Sequence, residues 1–135
     1  MGKIYIQLGK EFPKLAQVPY LVLVAKVPLD AQQMELAVKT ARALQAASAA
    51  VLKDEKHASD EIQRQFYAKV KPELILSALD TLSPGVKGNG AMSESGIVEL
   101  LKFATESGEP LSKTLDPKPG PHAFWTNHMV EAASR

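Results

Sequence analysis

An uncharged apolar run that leads directly into a long alanine-rich segment constrains the fold of this chain more than any other sequence feature. Residues 20–25 are tyrosine, leucine, valine and alanine, a composition typical of a buried β-strand. Pro28 ends this run, and Asp30 and Gln33 have the spacing of a helix capping box. The stretch therefore predicts a strand, a turn and a helix, around which the other elements must pack.

The N-terminal residues predict a partner for this strand. Ile4 and Ile6 alternate with more polar positions, which is the pattern of a half-buried strand. Antiparallel pairing of residues 3–8 with residues 19–26 would form a β-hairpin within residues 1–28. Because a two-stranded sheet is marginally stable and has open edges, we expect the following helix to cover one face and a second copy of the chain to cover an edge.

Residues 31–53 predict one long helix. Glu35 and Lys39 stand one turn apart with favourable charges, and the many alanines raise the helix propensity. Small alanine side chains also let a second helix or a second subunit approach closely. The apolar residues recur at helical spacing along one stripe, which comprises Met34, Ala37, Val38, Ala41, Leu44, Ser48, Val51 and Leu52.

Shorter segments follow the long helix. Ser59 is predicted to cap a helix that Pro72 bends or divides, and Ser93 to cap another helix that ends at Gly108. Four prolines make residues 109–121 an extended strap. The expected organisation is a single domain over residues 1–135, with the hairpin at 1–28, the long helix and a bent helical segment at 30–82, a Gly-rich loop at 83–92, a helix at 93–108, the Pro-rich strap at 109–121 and a terminal helix at 122–135.

The predicted fold class is therefore α+β, helix-dominated, with an N-terminal β-hairpin packed on a long Ala-rich helix that three to four shorter helices follow. Apolar residues make up 45% of the 135 residues and charged residues 23%, which is ordinary for a folded domain. The absence of cysteine excludes disulfides and thiolate chemistry. We expect a cytoplasmic location and no membrane partner, because no secretory or membrane-spanning pattern is visible.

A Gly-rich loop before a helix start suggests a weak site for an anionic ligand. Backbone N–H groups at a helix N-terminus, together with one lysine, can hold a phosphate or a carboxylate. The spacing matches no phosphate-binding loop, so a plain connector is the favoured interpretation. A small enzyme or anionic-ligand binder with a site at residues 85–95 is one alternative function, and its residues are Lys87, Gly88, Gly90, Ser93 and Ser95.

The basic and aromatic residues of the predicted hairpin suggest a nucleic-acid surface. Residues 1–28 carry four lysines against one glutamate, and their aromatic rings could stack on bases. The whole chain has a net charge of only +1, so nucleic acid is possible but not favoured. The residues of this alternative are Lys3, Tyr5, Lys10, Phe12, Lys14, Tyr20 and Lys26.

No motif for catalysis or for a cofactor is visible. His122, Trp125 and His128 lie close in sequence, but His122 and His128 would face different sides of a helix, so neither a metal site nor any role is assigned to the three. The serines match neither a nucleophile elbow nor a Ser-Lys motif. We therefore expect no cofactor and lean against an enzyme.

Self-association is the function that the sequence favours. The expected protein is a non-enzymatic interaction module that forms a homodimer or larger homo-oligomer through the hairpin edge and the Ala-rich helix. A different protein partner is also possible, for example one with an aromatic groove for the Pro-rich strap. The expected interface residues are Ile4, Ile6, Ala37, Ala41, Leu44 and Val51.

Overall fold

The computed structural model describes residues 11–86, 88–120 and 123–135, and their regular structure is helical. Five α-helices and two 3₁₀ turns occur among these described residues. The elements are the 3₁₀ turn Leu15–Gln17, α1 Ala31–Lys53, α2 Glu55–Phe66, α3 Pro72–Val86, α4 Glu94–Glu106, the 3₁₀ turn Pro110–Lys113 and α5 His128–Ala133. None of these helices is long and apolar enough to cross a lipid bilayer.

The predicted β-hairpin is absent from the described chain, and the α+β assignment is wrong. Residues 19–26 are irregular, with a bend at Leu21 and no strand partner in the described chain, whereas residues 3–8 lie outside the described residues. The prediction failed because an apolar β-branched run shows only that its residues suit a β-sheet, and not that a partner strand is present. A strand forms when a second strand accepts its backbone hydrogen bonds, and the described chain supplies none.

The described residues divide into two compact units. The first combines residues 11–30 with 91–128, apart from 121–122, and the second combines 31–90, apart from 87, with 129–135. The expectation of a single domain over residues 1–135 stays a prediction.

In the second unit, α1 has the bounds that the sequence pattern places at residues 31–53. Ala41 is the buried residue of its apolar stripe, and the Lys39 ammonium lies 2.7 Å from the Glu35 carboxylate on the exposed side. Polar residues outside the apolar stripe also make long-range contacts. Arg42 Nε donates to the carbonyl of Ala133 over 3.2 Å, and Gln45 Nε2 donates to the carbonyl of Val130 over 3.2 Å. Arg42 therefore satisfies a carbonyl in the last turn of α5, where intrahelical N–H partners run out, whereas the Val130 carbonyl also accepts from the Ser134 N–H over 3.2 Å.

Helices α2 and α3 form a helical pair, and their boundaries differ from the prediction. The cap of α2 is Asp54, whose carboxylate accepts from the backbone N–H of His57 over 2.9 Å. Ser59 is instead buried inside the helix, where its hydroxyl donates to the carbonyl of Pro72 over 3.3 Å. The expected cap at Ser59 is therefore wrong, because this small hydroxyl residue fills the contact between the two helices.

Asp54→Ala should lower the free energy of unfolding by about 1 kcal/mol, because the first turn of α2 loses the acceptor of an otherwise unpaired N–H. Asp54→Asn keeps an acceptor oxygen and should stay close to the wild type. Urea denaturation followed by circular dichroism measures both variants. Equal stability of the alanine and asparagine variants would contradict the role of Asp54 as the N-cap of α2.

In the first unit, α4 begins as predicted. The Ser93 hydroxyl accepts from the backbone N–H of Gly96 over 3.0 Å. Gly108 follows the helix in the left-handed region, at φ +87°. Ile97 is 2% exposed and is the most deeply buried large side chain among the described residues. Its neighbour Gly96 packs against the 3₁₀ turn Leu15–Gln17 so closely that a Cβ at Gly96 would clash with the carbonyl oxygen of Gln17.

The Pro-rich strap is partly helical and is tied to its own unit. Its first part forms the 3₁₀ turn Pro110–Lys113, which the fully extended prediction missed, and the Ser112 hydroxyl bonds that of Thr105 over 2.7 Å. Further on, the indole N–H of Trp125 donates to the carbonyl of Pro117 over 2.9 Å. Trp125 is buried but precedes α5, so the terminal helix is shorter than the predicted segment 122–135.

Candidate functional site: an exposed apolar segment

The most unusual surface of the described chain is the irregular stretch of residues 20–27, here called the apolar segment. It contains six large apolar or aromatic residues, and every one is at least half exposed. Tyr20 is 94% exposed, Leu21 89% and Val24 81%. Single exposed apolar residues are ordinary, but a contiguous run of them is unusual and makes this segment the candidate contact surface.

The backbone of this segment is as open as its side chains. Within the described part of the chain, no N–H or C=O group of residues 20–27 makes a hydrogen bond. Lys26 supplies its one charge, and Pro19 and Pro28 stand at its two ends. Proline has no N–H and therefore limits any hydrogen-bonded ladder to the residues between. The segment is thus bounded by two prolines and makes no main-chain hydrogen bond within the described residues.

Sequence reasoning found this run but assigned it the opposite environment. It predicted residues 20–25 as buried, whereas the structure leaves Leu21, Leu23 and Val24 exposed. The two flanking prolines and the lack of charge were the signals available, but neither indicates whether the pairing strand belongs to the same chain. Leu23, Val24 and Val27 were accordingly missed as surface residues.

The predicted interface residues fall in different environments. Ile4 and Ile6 lie outside the described residues. On α1, Ala41 is buried within its own unit, Ala37 and Val51 are half-buried, and Leu44 is 55% exposed. Leu36, which the predicted stripe omitted, is 65% exposed. The exposed large apolar side chains of α1 are thus Leu36, Leu44 and, to a lesser degree, Leu52.

The predicted anion-binding residues are divided between the two compact units, and the anion site stays a prediction. Lys87 lies outside the described residues. Gly88 and Gly90 have φ values of +109° and +82°, which suits a turn, and they belong to the other compact unit from Ser93 and Ser95. The hydroxyl of Ser93 caps α4, and that of Ser95 donates to Gln17 Oε1 over 2.6 Å. Both hydroxyls therefore have structural roles within their own unit.

A shallow depression beside the start of α4 offers little to an anion. Two carboxylates line it against a single lysine, which opposes the favourable effect of the helix N-terminus on negative charge. The lining residues are Lys14, Gln17, Glu94, Ser95, Val98 and Glu99.

The described members of the nucleic-acid set are all exposed. They are Phe12, Lys14, Tyr20 and Lys26, whereas Lys3, Tyr5 and Lys10 lie outside the described residues. Exposure allows contact with phosphates and bases but does not distinguish this use from an ordinary solvated surface. Nucleic-acid binding stays a prediction.

The titrating groups with shifted pKa values are surface pairs rather than a catalytic arrangement. A hydrogen bond from Lys39, aided by its charge, lowers the pKa of Glu35, and hydrogen bonds from Arg64 and Gln65 lower the pKa of Glu61. Both carboxylates lie exposed on helices, where such pairs are structural. Among the described residues, no group of three histidine or acidic side chains could hold a metal ion. His128 starts α5, Trp125 is buried, and His122 lies outside the described residues.

Comparison with known proteins adds no function. The chain matches no protein-family model, and no curated protein or solved structure is significantly similar to it.

Proposed function

We propose that this protein is a non-enzymatic interaction module that self-associates, and that the apolar segment, residues 20–27, is its contact surface. The observation that carries the proposal is the combination of exposed apolar side chains with an unbonded backbone over the same eight residues. A segment in this state gains both main-chain hydrogen bonds and apolar burial when it extends against a second strand. The hairpin edge first expected to mediate association is replaced by this unpaired segment.

Composition favours another copy of the same chain as the partner. The segment has no charge from Tyr20 to Ala25, so two copies meet without repulsion over that length. Leucine, valine and tyrosine pair well across strands with residues of their own kind. The exposed Leu36 and Leu44 on α1 offer additional apolar area in the second unit. These features together support a homo-oligomer rather than a catalyst.

Sedimentation equilibrium of the purified chain tests the proposal. We expect a mass of at least twice the 14.6 kDa of one chain, with dissociation on dilution. Leu23→Lys should shift the protein to a monomer, because a charge placed inside the paired segment must be desolvated on association. Leu82→Lys is the matched control, since Leu82 is similarly exposed on α3 but lies outside the segment, and it should associate like the wild type.

Two outcomes would contradict the proposal. One is a wild-type chain that remains a monomer at high concentration. The other is an unchanged association of Leu23→Lys, which would move the contact surface away from residues 20–27.

A further inference from the structure

We infer that Asn89 is a site of spontaneous deamidation, at which the backbone nitrogen of Gly90 displaces the side-chain amide and leaves aspartate or isoaspartate in the chain. The inference concerns a covalent modification and does not rest on the proposed self-association. It is carried by the open surroundings of the Asn89–Gly90 peptide and by the contrast with Asn127, the other asparagine of the chain.

The nucleophile of this reaction, the Gly90 nitrogen, is accessible. Gly90 is exposed, and its N–H donates no hydrogen bond within the described part of the chain. A Cβ built at Gly90 would meet nothing within 4 Å, so the surroundings of this peptide group are open. Glycine also has no side chain that could hinder the approach of its nitrogen to the Asn89 side chain. Asn89 is itself exposed, so water reaches its amide.

The backbone around Asn89 permits the rotation that ring closure needs. Glycines stand on both sides of it, Gly88 with φ +109° and Gly90 with φ +82°. Because glycine adopts positive and negative φ values about equally readily, neither residue is locked in its present conformation. A Cβ at Gly88 would also meet nothing within 4 Å, so no neighbouring group blocks the movement there.

One contact restrains Asn89, and its grip is shared. Gln45 Nε2 donates to the main-chain carbonyl of Asn89 over 3.0 Å. The same nitrogen lies within hydrogen-bonding distance of the Val130 carbonyl and the Ser134 hydroxyl, so its two hydrogens serve three acceptors. The restraint on the Asn89 carbonyl is therefore partial.

The reaction balances with water as its co-reactant. The Gly90 nitrogen loses its proton to the solvent and bonds to Asn89 Cγ, the Cγ–Nδ2 bond breaks, and ammonia leaves, which closes a five-membered succinimide ring. Water then opens the ring at either carbonyl. Cleavage of the new nitrogen–Cγ bond gives aspartate, whereas cleavage of the bond from nitrogen to the main-chain carbonyl carbon gives isoaspartate. Either product adds one negative charge.

Asn127 lies in the opposite environment. It is half-buried, its Oδ1 accepts from the Met92 N–H over 2.9 Å, and its Nδ2 donates to the Met92 carbonyl over 2.8 Å. Attack on its Cγ would break both bonds. The nitrogen that would attack belongs to His128, and its N–H already donates to the Thr126 hydroxyl over 3.1 Å. Asn127 is therefore an internal control for Asn89.

Peptide mapping of the incubated protein tests the inference. Trypsin releases Asn89 within residues 88–102 and Asn127 within residues 114–135, because it cleaves after lysine unless proline follows. After incubation of the folded chain at mildly alkaline pH, mass spectrometry measures the gain that replacement of an NH₂ group by OH gives in each peptide. A sample digested without incubation corrects for conversion during digestion.

We expect Asn89 to convert at least about tenfold faster than Asn127, because only Asn89 precedes a glycine with an unbonded N–H. Isoaspartate, which has the mass of aspartate but a different retention time, should accompany aspartate. Gly90→Ala should slow the conversion at least about tenfold, since the methyl group hinders the nitrogen and restricts φ. Conversion at Asn127 should be unchanged in this variant, which also shows that its fold is intact.

Three outcomes would overturn the inference: equal rates at the two asparagines, aspartate without isoaspartate at Asn89, or an unchanged rate in Gly90→Ala. None of them bears on the sedimentation mass, so the proposed self-association stands or falls separately.

Discussion

Trp125→Ala should lower the free energy of unfolding of its unit by about 3–5 kcal/mol, the usual cost of removing a large buried aromatic side chain. Trp125 is 7% exposed, and its indole N–H is bonded to the carbonyl of Pro117. The substitution therefore opens a cavity and also releases the strap from the segment that leads into α5. The protein has a single tryptophan, so the fluorescence of the wild type reports on this contact alone during urea denaturation.

Two further variants distinguish packing from hydrogen bonding. Trp125→Phe keeps an aromatic ring but leaves the Pro117 carbonyl without its donor, and it should cost about 1–3 kcal/mol. Phe124→Ala removes a neighbouring aromatic ring that is nearly half exposed and should cost less than either change at Trp125. Circular dichroism follows the variants that lack the fluorophore. If Trp125→Ala unfolded at the same urea concentration as Phe124→Ala, the strap would not be anchored through Trp125.

Gly96→Ala should lower the free energy of unfolding by about 3 kcal/mol, although alanine is normally the better helix residue. A Cβ at this position would clash with the backbone carbonyl oxygen of Gln17 and would lie 3.1 Å from Ser93 Oγ. Because a backbone atom cannot rotate away as a side chain can, α4 and the 3₁₀ turn Leu15–Gln17 must separate. The loss should appear both in urea denaturation and as faster proteolysis near residues 11–17.

The sign of this effect makes the test decisive. If Gln17 does not approach α4 closely, Gly96→Ala should instead stabilise the protein by up to about 1 kcal/mol through helix propensity alone. Gly120→Ala is the matched control, because a Cβ there would meet only Ala123 at an ordinary distance of 3.9 Å. A Gly96→Ala variant at least as stable as the wild type would contradict the contact.

Local chemistry made several helix boundaries predictable. The bounds of α1 follow from a long run with high helix propensity and regular apolar spacing. The cap at Ser93 and the end of α4 near Gly108 follow from hydrogen bonding and backbone freedom at single residues. The ion pair between Glu35 and Lys39 was predictable because it requires only that both residues lie on the same helix.

The contacts of residues that have more than one possible partner could not be predicted from local sequence. Asp54 and Ser59 are both good caps, and only the packing of α2 against α3 placed Ser59 in the buried contact. Gln45 is polar and lies outside the predicted apolar stripe, but its amide donates to the carbonyl of Val130, 85 positions along the chain. The role of Trp125 likewise depends on Pro117, which no helical periodicity connects to it.

The sequence by itself determined where helices can start and stop. It also determined that residues 20–27, which lie between two prolines, are suited to pairing with another strand. Both properties depend on neighbours within a few positions. Tertiary structure alone decided that the described chain supplies no strand to that segment and leaves it exposed, because pairing depends on which distant groups come within hydrogen-bonding distance.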